Sequence, residues 1–307
     1  MPGGGGAPLP ASATVGRNPA NGVVVYYSLK DKPATEVEIE FLDQAGKSIR
    51  KFTGRVRKPG EAPTPPPAPA GEGGFGAPPP PPVPMEVGLN RFVWDPRHAD
   101  AVRFPGMILW AGDTRGPKMP PGTYQIKLTV DGKSLMQNFE IKADPRLSTT
   151  PADYAKQLEL GLKIRDKLTE THNAIIQIRD VRKQIEDLLK RVAGQANFKV
   201  VNDAGTALNK NLTTIEEALY QTKNQSSQDP LNYPIRFNNK LAALGGVVGS
   251  AEAAPTAQSY AVYDELVTQI DAELQRLAQI MRTDVPAFNQ LVRDQNIPAV
   301  VVKPPSP

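Results

Sequence analysis

Hydrophobic positions repeat with one period in the first half of the chain and another in the second. From Gly22 to Lys142 the period is two. "GVVVYYSL" (Gly22–Leu29) is β-branched and aromatic and predicts a strand. In "TEVEIEFLD" (Thr35–Asp43) Val37, Ile39 and Phe41 share one side, while Glu36, Glu38 and Glu40 share the other, the pattern of a half-buried antiparallel strand. The turn "DQAGK" (Asp43–Lys47) leads into its hairpin partner "SIRKFTG" (Ser48–Gly54). Further along, "LNRFVWD" (Leu89–Asp95) alternates with Phe92 and Trp94 on one side. "GTYQIKLTV" (Gly122–Val130) aligns Tyr124, Ile126, Leu128 and Val130, and "DGK" (Asp131–Lys133) turns it into "SLMQNFEIK" (Ser134–Lys142). At least six short strands separated by turns predict a β-sandwich, whose core would hold Val37, Ile39, Phe41, Phe92, Trp94, Tyr124, Ile126 and Leu128.

After "ADPRLSTTPADY" (Ala143–Tyr154) the period becomes 3.6. Thr150 is placed as an N-cap, Pro151 as the first helical residue and Asp153 in the first turn. Ile164, Leu168, Ile175, Ile178, Ile185, Leu189 and Val192 form a stripe that no proline or glycine interrupts between Leu162 and Ala193. One helix of roughly forty residues, about 60 Å long, is expected. A second helix is predicted over Asp203–Asn224, with Leu208, Leu212, Ile215 and Leu219 in register. A loop follows at Asn224–Pro234, then a short helix within Ile235–Ala251 ending at Gly245–Gly246. The last long helix, Thr256–Thr283, carries Tyr263, Val267, Ile270, Leu274, Leu277 and Met281 at alternating spacings of four and three, a knobs-into-holes seam.

The expected architecture is multidomain, all-β plus all-α. An Ig-like, fibronectin type III-like antiparallel β-sandwich occupies residues 21–145, and an antiparallel three-helix bundle with a short extra helix occupies 150–290, folding as a unit of its own. Residues 1–20 read as a flexible Gly/Pro-rich segment, and 291–307, ending "IPAVVVKPPSP", as an extended tail. A chain that opens with a linker suggests a piece of something longer, or a subunit whose tail lies on a neighbour. No charged n-region and apolar h-region of a signal peptide precedes the first strand, and no apolar run reaches membrane-spanning length.

One stretch obeys neither period. Residues 58–84, "KPGEAPTPPPAPAGEGGFGAPPPPPVP", contain twelve prolines and five glycines, so they can neither pair as a strand nor close as a helix. Neither flank supplies enough strands to bury a sheet face alone. The stretch is therefore expected as a long loop inserted into one sandwich. A polyproline segment binds at low entropic cost because it is already extended. Phe75, Pro78, Pro79, Pro80, Pro81 and Pro82 are the candidate partner contacts.

Charge and composition narrow the functional classes. The net charge of +4 is mild, and the densest basic runs, Arg50–Lys58 and Arg179–Gln184, carry no aromatic ladder. They read as solvated faces, not a nucleic-acid surface. The absence of cysteine removes disulfides, thiolate metal sites and thiol nucleophiles. The two histidines are His98, in a turn with Asp95, Arg97 and Asp100, and His172, bordering a helical stripe. No second histidine or carboxylate shares the face of His172 at metal spacing, so His172 is expected to be packed; the cluster around His98 is of a kind that can bind a cation, but it is read as turn chemistry. No phosphate loop, nucleophile elbow, zinc-helix motif or calcium loop is present. Glu36, Glu38 and Glu40 lie on a solvent face, not across a cleft. No catalytic residue, cofactor or metal site is expected.

"GRNPANGVVVYYSLKD", "GLNRFVWDPR", "PPGTYQIKLTVDGK", "ADPR" before a long helix, and "DPLNYPIRFNNKLAALGGVVGSAEAAPT" together resemble the C-terminal region of large exported bacterial proteins labelled sortilin-like or BNR-repeat glycosyl hydrolases. The strands around "PPGTY" are also similar to the Ig-like domain of flagellar-hook capping proteins. The resemblance implies an Ig-like domain and a helical region in a periplasmic or cell-surface setting. Propeller repeats are missing here, so the hydrolase label does not carry over. The expected function is a non-catalytic structural or interaction subunit of a larger extracytoplasmic assembly, with other protein subunits as partners. A periplasmic subunit stabilising a photosynthetic or respiratory membrane complex fits. The alternative is an accessory ligand-binding module of a secreted propeller-type hydrolase, which a row of exposed aromatics among Tyr26, Tyr27, Trp94, Trp110 and Tyr124 would favour.

Overall fold

The computed structural model describes residues 20, 22–55, 82–193 and 198–297. Phe75 and Pro78–Pro81 lie outside them; of the candidate contacts only Pro82 is described, and it is exposed.

The β half holds two antiparallel sheets. β1 (Val23–Leu29) pairs with β4 (Gly88–Trp94). The second sheet has the order β3-β2-β5-β6, built from β2 (Glu36–Leu42), β3 (Ser48–Arg55), β5 (Gly122–Val130) and β6 (Lys133–Ile141). The period-two pattern decides which faces meet. Val37, Ile39, Phe41, Phe92, Trp94 and Tyr124 are buried in one cluster fed by both sheets. Ile126 and Leu128 are only half-buried against it, because a two-stranded sheet cannot cover four strands. On the other side of β2, Glu38 pairs with Lys51 at 3.0 Å and Glu40 with Lys127 at 3.9 Å. The glutamate ladder is thus neutralised by lysines of its neighbouring strands.

The end of the proline-rich stretch and both its flanks enter this cluster, Phe52 before it, Val83 within its last residues, and Phe92 and Trp94 after it. Residues 83–85 cross directly over β3. A Cβ on Gly54 would lie 2.7 Å from the Val83 carbonyl oxygen, so only glycine fits. The Tyr27 hydroxyl donates to the Pro84 carbonyl, and burial pushes that phenol up to about 12.

The helical half begins with α1 (Pro151–Val192), 42 residues opened by a capping box between Thr150 and Asp153. α2 (Phe198–Leu219) runs back along it, and α3 (Phe237–Val248) crosses to α4 (Ala257–Arg282), capped by Thr256. Four boundaries differ from the sequence expectation, one being the end of α2, which closes at Leu219 and not at Asn224. α2 starts five residues earlier than Asp203, because Val201 extends the stripe of Leu208 and is fully buried. α3 runs through Gly245–Gly246 and ends at Gly249, since a Cβ on Gly245 would touch only Ile164, at an ordinary 3.4 Å. The chain also does not become extended at 291: α5 (Asp284–Asp294) anchors Phe288 in the helical core. Pro286 hid this helix, although proline fits a first turn, where its missing N–H has no intrahelical partner to lose. The protein is therefore of mixed β and α class. Among the described residues, no helix is long and apolar enough to cross a membrane.

Candidate functional site

The 27 residues from Asp95 to Pro121, between β4 and β5, form no regular strand, yet they hold the two halves together. A non-repetitive segment must have its backbone polar groups met by something other than a ladder. Here helix side chains meet them. Arg165 donates to the Ala99 carbonyl at 2.9 Å, and Thr169 accepts from Val102 N at 3.3 Å. Arg179 donates to Pro105 O at 3.2 Å. The Tyr220 hydroxyl, just beyond α2, accepts from Ile108 N at 3.1 Å and donates to Gly106 O at 3.2 Å. Asn239 brackets Trp110, accepting from its N at 2.7 Å and donating to its O at 2.6 Å, as a paired strand would.

The strap also contributes apolar surface. Ala101 and Phe104 are buried in the helical core, with Met107 and Leu109 packed against it. In the folded chain the strap thus completes part of the helical core. Phe104 meets His172 edge-on at 5.2 Å and Tyr220 at 5.0 Å, with the Arg179 guanidinium over its ring at 4.6 Å. Arg179 and Arg182 both bind Glu216 at 2.7 Å, and Glu216 is buried. Within the basic run Arg179–Gln184, Asp180, Lys183 and Gln184 are exposed, whereas Arg179 and Arg182 turn to Glu216. These two arginines neutralise a carboxylate that would otherwise sit uncompensated under the strap.

His172 is fully buried. Its Nδ1–H donates to the Val102 carbonyl, which leaves Nε2 as acceptor for Asn238 Nδ2 at 3.3 Å. Burial drives the imidazole down to about 4, opposed by the bond to Val102 and assisted by nearby Arg103. The unfolded chain takes up this proton below about 6.5, whereas the folded chain refuses it until about 4. The stability is therefore complete above pH 6.5 and drains as pH falls towards 4, by about 3 kcal/mol in total. The imidazole resonances of only two histidines should show this directly by NMR titration. A His172 midpoint near 6.5 would contradict the buried geometry.

His98 is part of the strap's own turn: its N–H donates to Pro117 O at 3.0 Å and its carbonyl accepts from Arg50 at 2.9 Å. Burial first, then Arg165, lowers its pKa. Arg97 takes Asp95 at 2.9 Å, and Asp100 takes Arg50 and the Gly116 N–H, each at 3.1 Å. Every charge of "DPRHAD" is thus engaged within the strap or by Arg50. Among the described residues, no group of three or more His, Asp or Glu is arranged to hold a metal ion.

A cleft of about 390 Å³ opens where the strap and β6 face α1 and the end of α3. Its floor is apolar, with Ala101, Met119, Ile164 and Val248. Pro117 closes one wall so tightly that a Cβ on Gly161 would sit 2.8 Å from it. Polar groups in the opposite wall hold each other: Tyr154 donates to Glu252 at 2.8 Å, and Gln157 donates to Val248 O at 2.7 Å.

On the surface, Tyr26 and Leu89 stand 62% and 74% exposed on the outer face of the β1–β4 sheet, with Val24 beside them and Val87 just before β4. The other aromatics considered from sequence are inside: Tyr27, Trp94 and Tyr124 are buried, and Trp110 is half-buried in the strap. No protein-family model matches the chain, and no curated protein matches it.

Proposed function

We propose that this chain is a non-catalytic interaction protein, an Ig-like sandwich followed by an antiparallel three-helix bundle, serving as a subunit of a larger extracytoplasmic assembly. The observation that carries this is the outer face of the β1–β4 sheet, where Val24, Tyr26 and Leu89 are exposed around Arg91, which stands directly opposite Tyr26. Contiguous exposed apolar surface with aromatic and arginine residues is the composition of a protein interface. The proline-rich insertion between β3 and β4 leaves from and returns to the same cluster, so it adds a second contact without disturbing the fold. The resemblance to exported propeller proteins supports the extracytoplasmic setting, and a membrane complex there is a partner that fits this picture. The strap, bonded to Arg50 of β3 on one side and to Asn239 of α3 on the other, links the two halves that carry these contacts.

Affinity purification from native membranes after mild cross-linking tests this. Recovery of the co-purifying subunits should fall about tenfold in the Tyr26→Ala/Leu89→Glu variant. Deletion of Gly60–Pro82 with a short Gly/Ser bridge should weaken recovery while leaving the unfolding midpoint in place. Full recovery in both variants would overturn the proposal. A second reading, an accessory ligand-binding module, draws on the cleft, whose volume lies within the small-molecule range. It requires that a saturating ligand raise the melting temperature and that Gly161→Leu, which fills the cleft wall, abolish the rise.

A further inference from the structure

The two edges of the four-stranded sheet are built differently. At one edge β3 carries Arg50, Lys51 and Arg55, residues 83–85 cross over it, and its pairing with β2 slips at Phe41/Leu42. Charges, cover and irregularity are the devices by which edges avoid pairing. β6, at the other edge, has none of them along its middle. Its register with β5 is unbroken from Lys133 to Ile141, it contains no proline, and its charges stand at Lys133 and Glu140. Six consecutive residues, Lys133–Asn138, are exposed. Leu135, paired with Leu128 on the cluster side of the sheet, is 73% exposed because the two-stranded sheet does not reach that far.

We infer that β6 pairs antiparallel with β6 of a second copy of this chain, about a two-fold axis through Gln137. Self-complementarity of the strand selects this occupant. A two-fold axis perpendicular to the sheet keeps cluster-side residues opposite cluster-side residues, so only registers centred on a residue are allowed. Centred on Gln137, Leu135 lies opposite Phe139, Met136 opposite Asn138, Ser134 opposite Glu140 and Lys133 opposite Ile141. All nine residues pair and no like charges meet. Shifting the centre to Met136 sets Leu135 against Gln137 and Lys133 against Phe139. Shifting it to Asn138 sets Gln137 against Phe139 and Met136 against Glu140. Pairing would join the two sheets into one of eight strands and place Leu135 beside an aromatic ring. The inference goes beyond membership of an assembly, since it concerns a contact between like chains and a different surface from Tyr26 and Leu89.

The chain has no cysteine, so one introduced thiol reports one position. Gln137→Cys places two thiols directly opposite each other, and a bismaleimide linker of about 8 Å should convert most of the purified protein to a covalent dimer. Ser134→Cys is equally exposed, but its two copies would be six residues apart in register, roughly 20 Å, beyond the linker. It should cross-link at least tenfold less. Light scattering should give a dimer for the unmodified chain at tens of micromolar. Leu135→Lys should shift it to monomer with an unchanged circular dichroism spectrum, weakening dimerisation at least tenfold. A monomer at these concentrations overturns the pairing, as does a chain that adds only a foreign extended peptide at this edge. Cross-linking at 134 as efficient as at 137 overturns the register.

Discussion

Trp94→Ala should remove the largest single joint of the β half, at a cost of about 3–5 kcal/mol. Trp94 is 2% exposed and belongs to the two-stranded sheet, while Phe41, stacked on it at 3.9 Å and 24°, belongs to the four-stranded one. Their contact crosses the space between the sheets. Phe41 also meets Phe52 edge-on at 6.1 Å and Phe139 at 6.0 Å, so the void left by the indole lies against the central ring of an aromatic group. Aromatic pairing adds roughly 0.5–1.5 kcal/mol beyond burial, which puts the loss towards the upper end of the range. Chemical denaturation followed by circular dichroism measures it. An unchanged midpoint would mean that the two sheets do not depend on a common core.

Phe104→Ala should cost a similar amount, about 3–5 kcal/mol, although the residue lies outside every helix and strand. Its ring is enclosed by His172, Arg179 and Tyr220, so alanine would leave a hole at the point where the strap enters the helices. The loss should be read in the helical signal, not the β signal, because the cavity opens among helix residues. A fragment beginning at Thr149 lacks the strap and should behave worse still. It keeps Glu216 with its two arginines but loses Phe104, Ala101 and the acceptor for His172. Dye binding and a broad thermal transition are the expected signs. A fragment that unfolds as sharply as the full chain would show that the strap is ornament and the helices suffice.

The β faces and the long helices were legible because their signals are local. Alternation fixed the inward set of Val37, Ile39 and Phe41, and the stripe from Ile164 to Val192 fixed α1 together with its Thr150 cap. The strap was not legible. Its partners in the helical half lie 66 to 129 residues away, as for Arg165 with Ala99 and Asn239 with Trp110, and no periodicity links an irregular segment to a helix so far along the chain. Glu216 gave a faint signal. It sits next to Ile215 on the buried side of α2, where a carboxylate needs a cation, and the basic run at Arg179 and Arg182 was the place to look. Asn238 and Asn239 gave none, since adjacent asparagines in a helix read as polar surface until the segment that they hold is seen.

The strap also sets a timetable for synthesis. Gly106 leaves the ribosome 114 residues before Tyr220, the side chain that closes over it. At typical elongation rates of about 5–20 residues per second, that is a wait of roughly 6–23 s. During that interval β5, β6 and α1 are made in turn, and Phe104 and Ala101 have only α1 to enter until α2 and Tyr220 follow. The β half is thus positioned to finish first and to present a greasy, half-tethered segment as the template on which the helices assemble. Slowing translation between Asp95 and Tyr220 should lengthen the exposure of that segment to chaperones and proteases, and speeding it should shorten the exposure, with no change in the final fold.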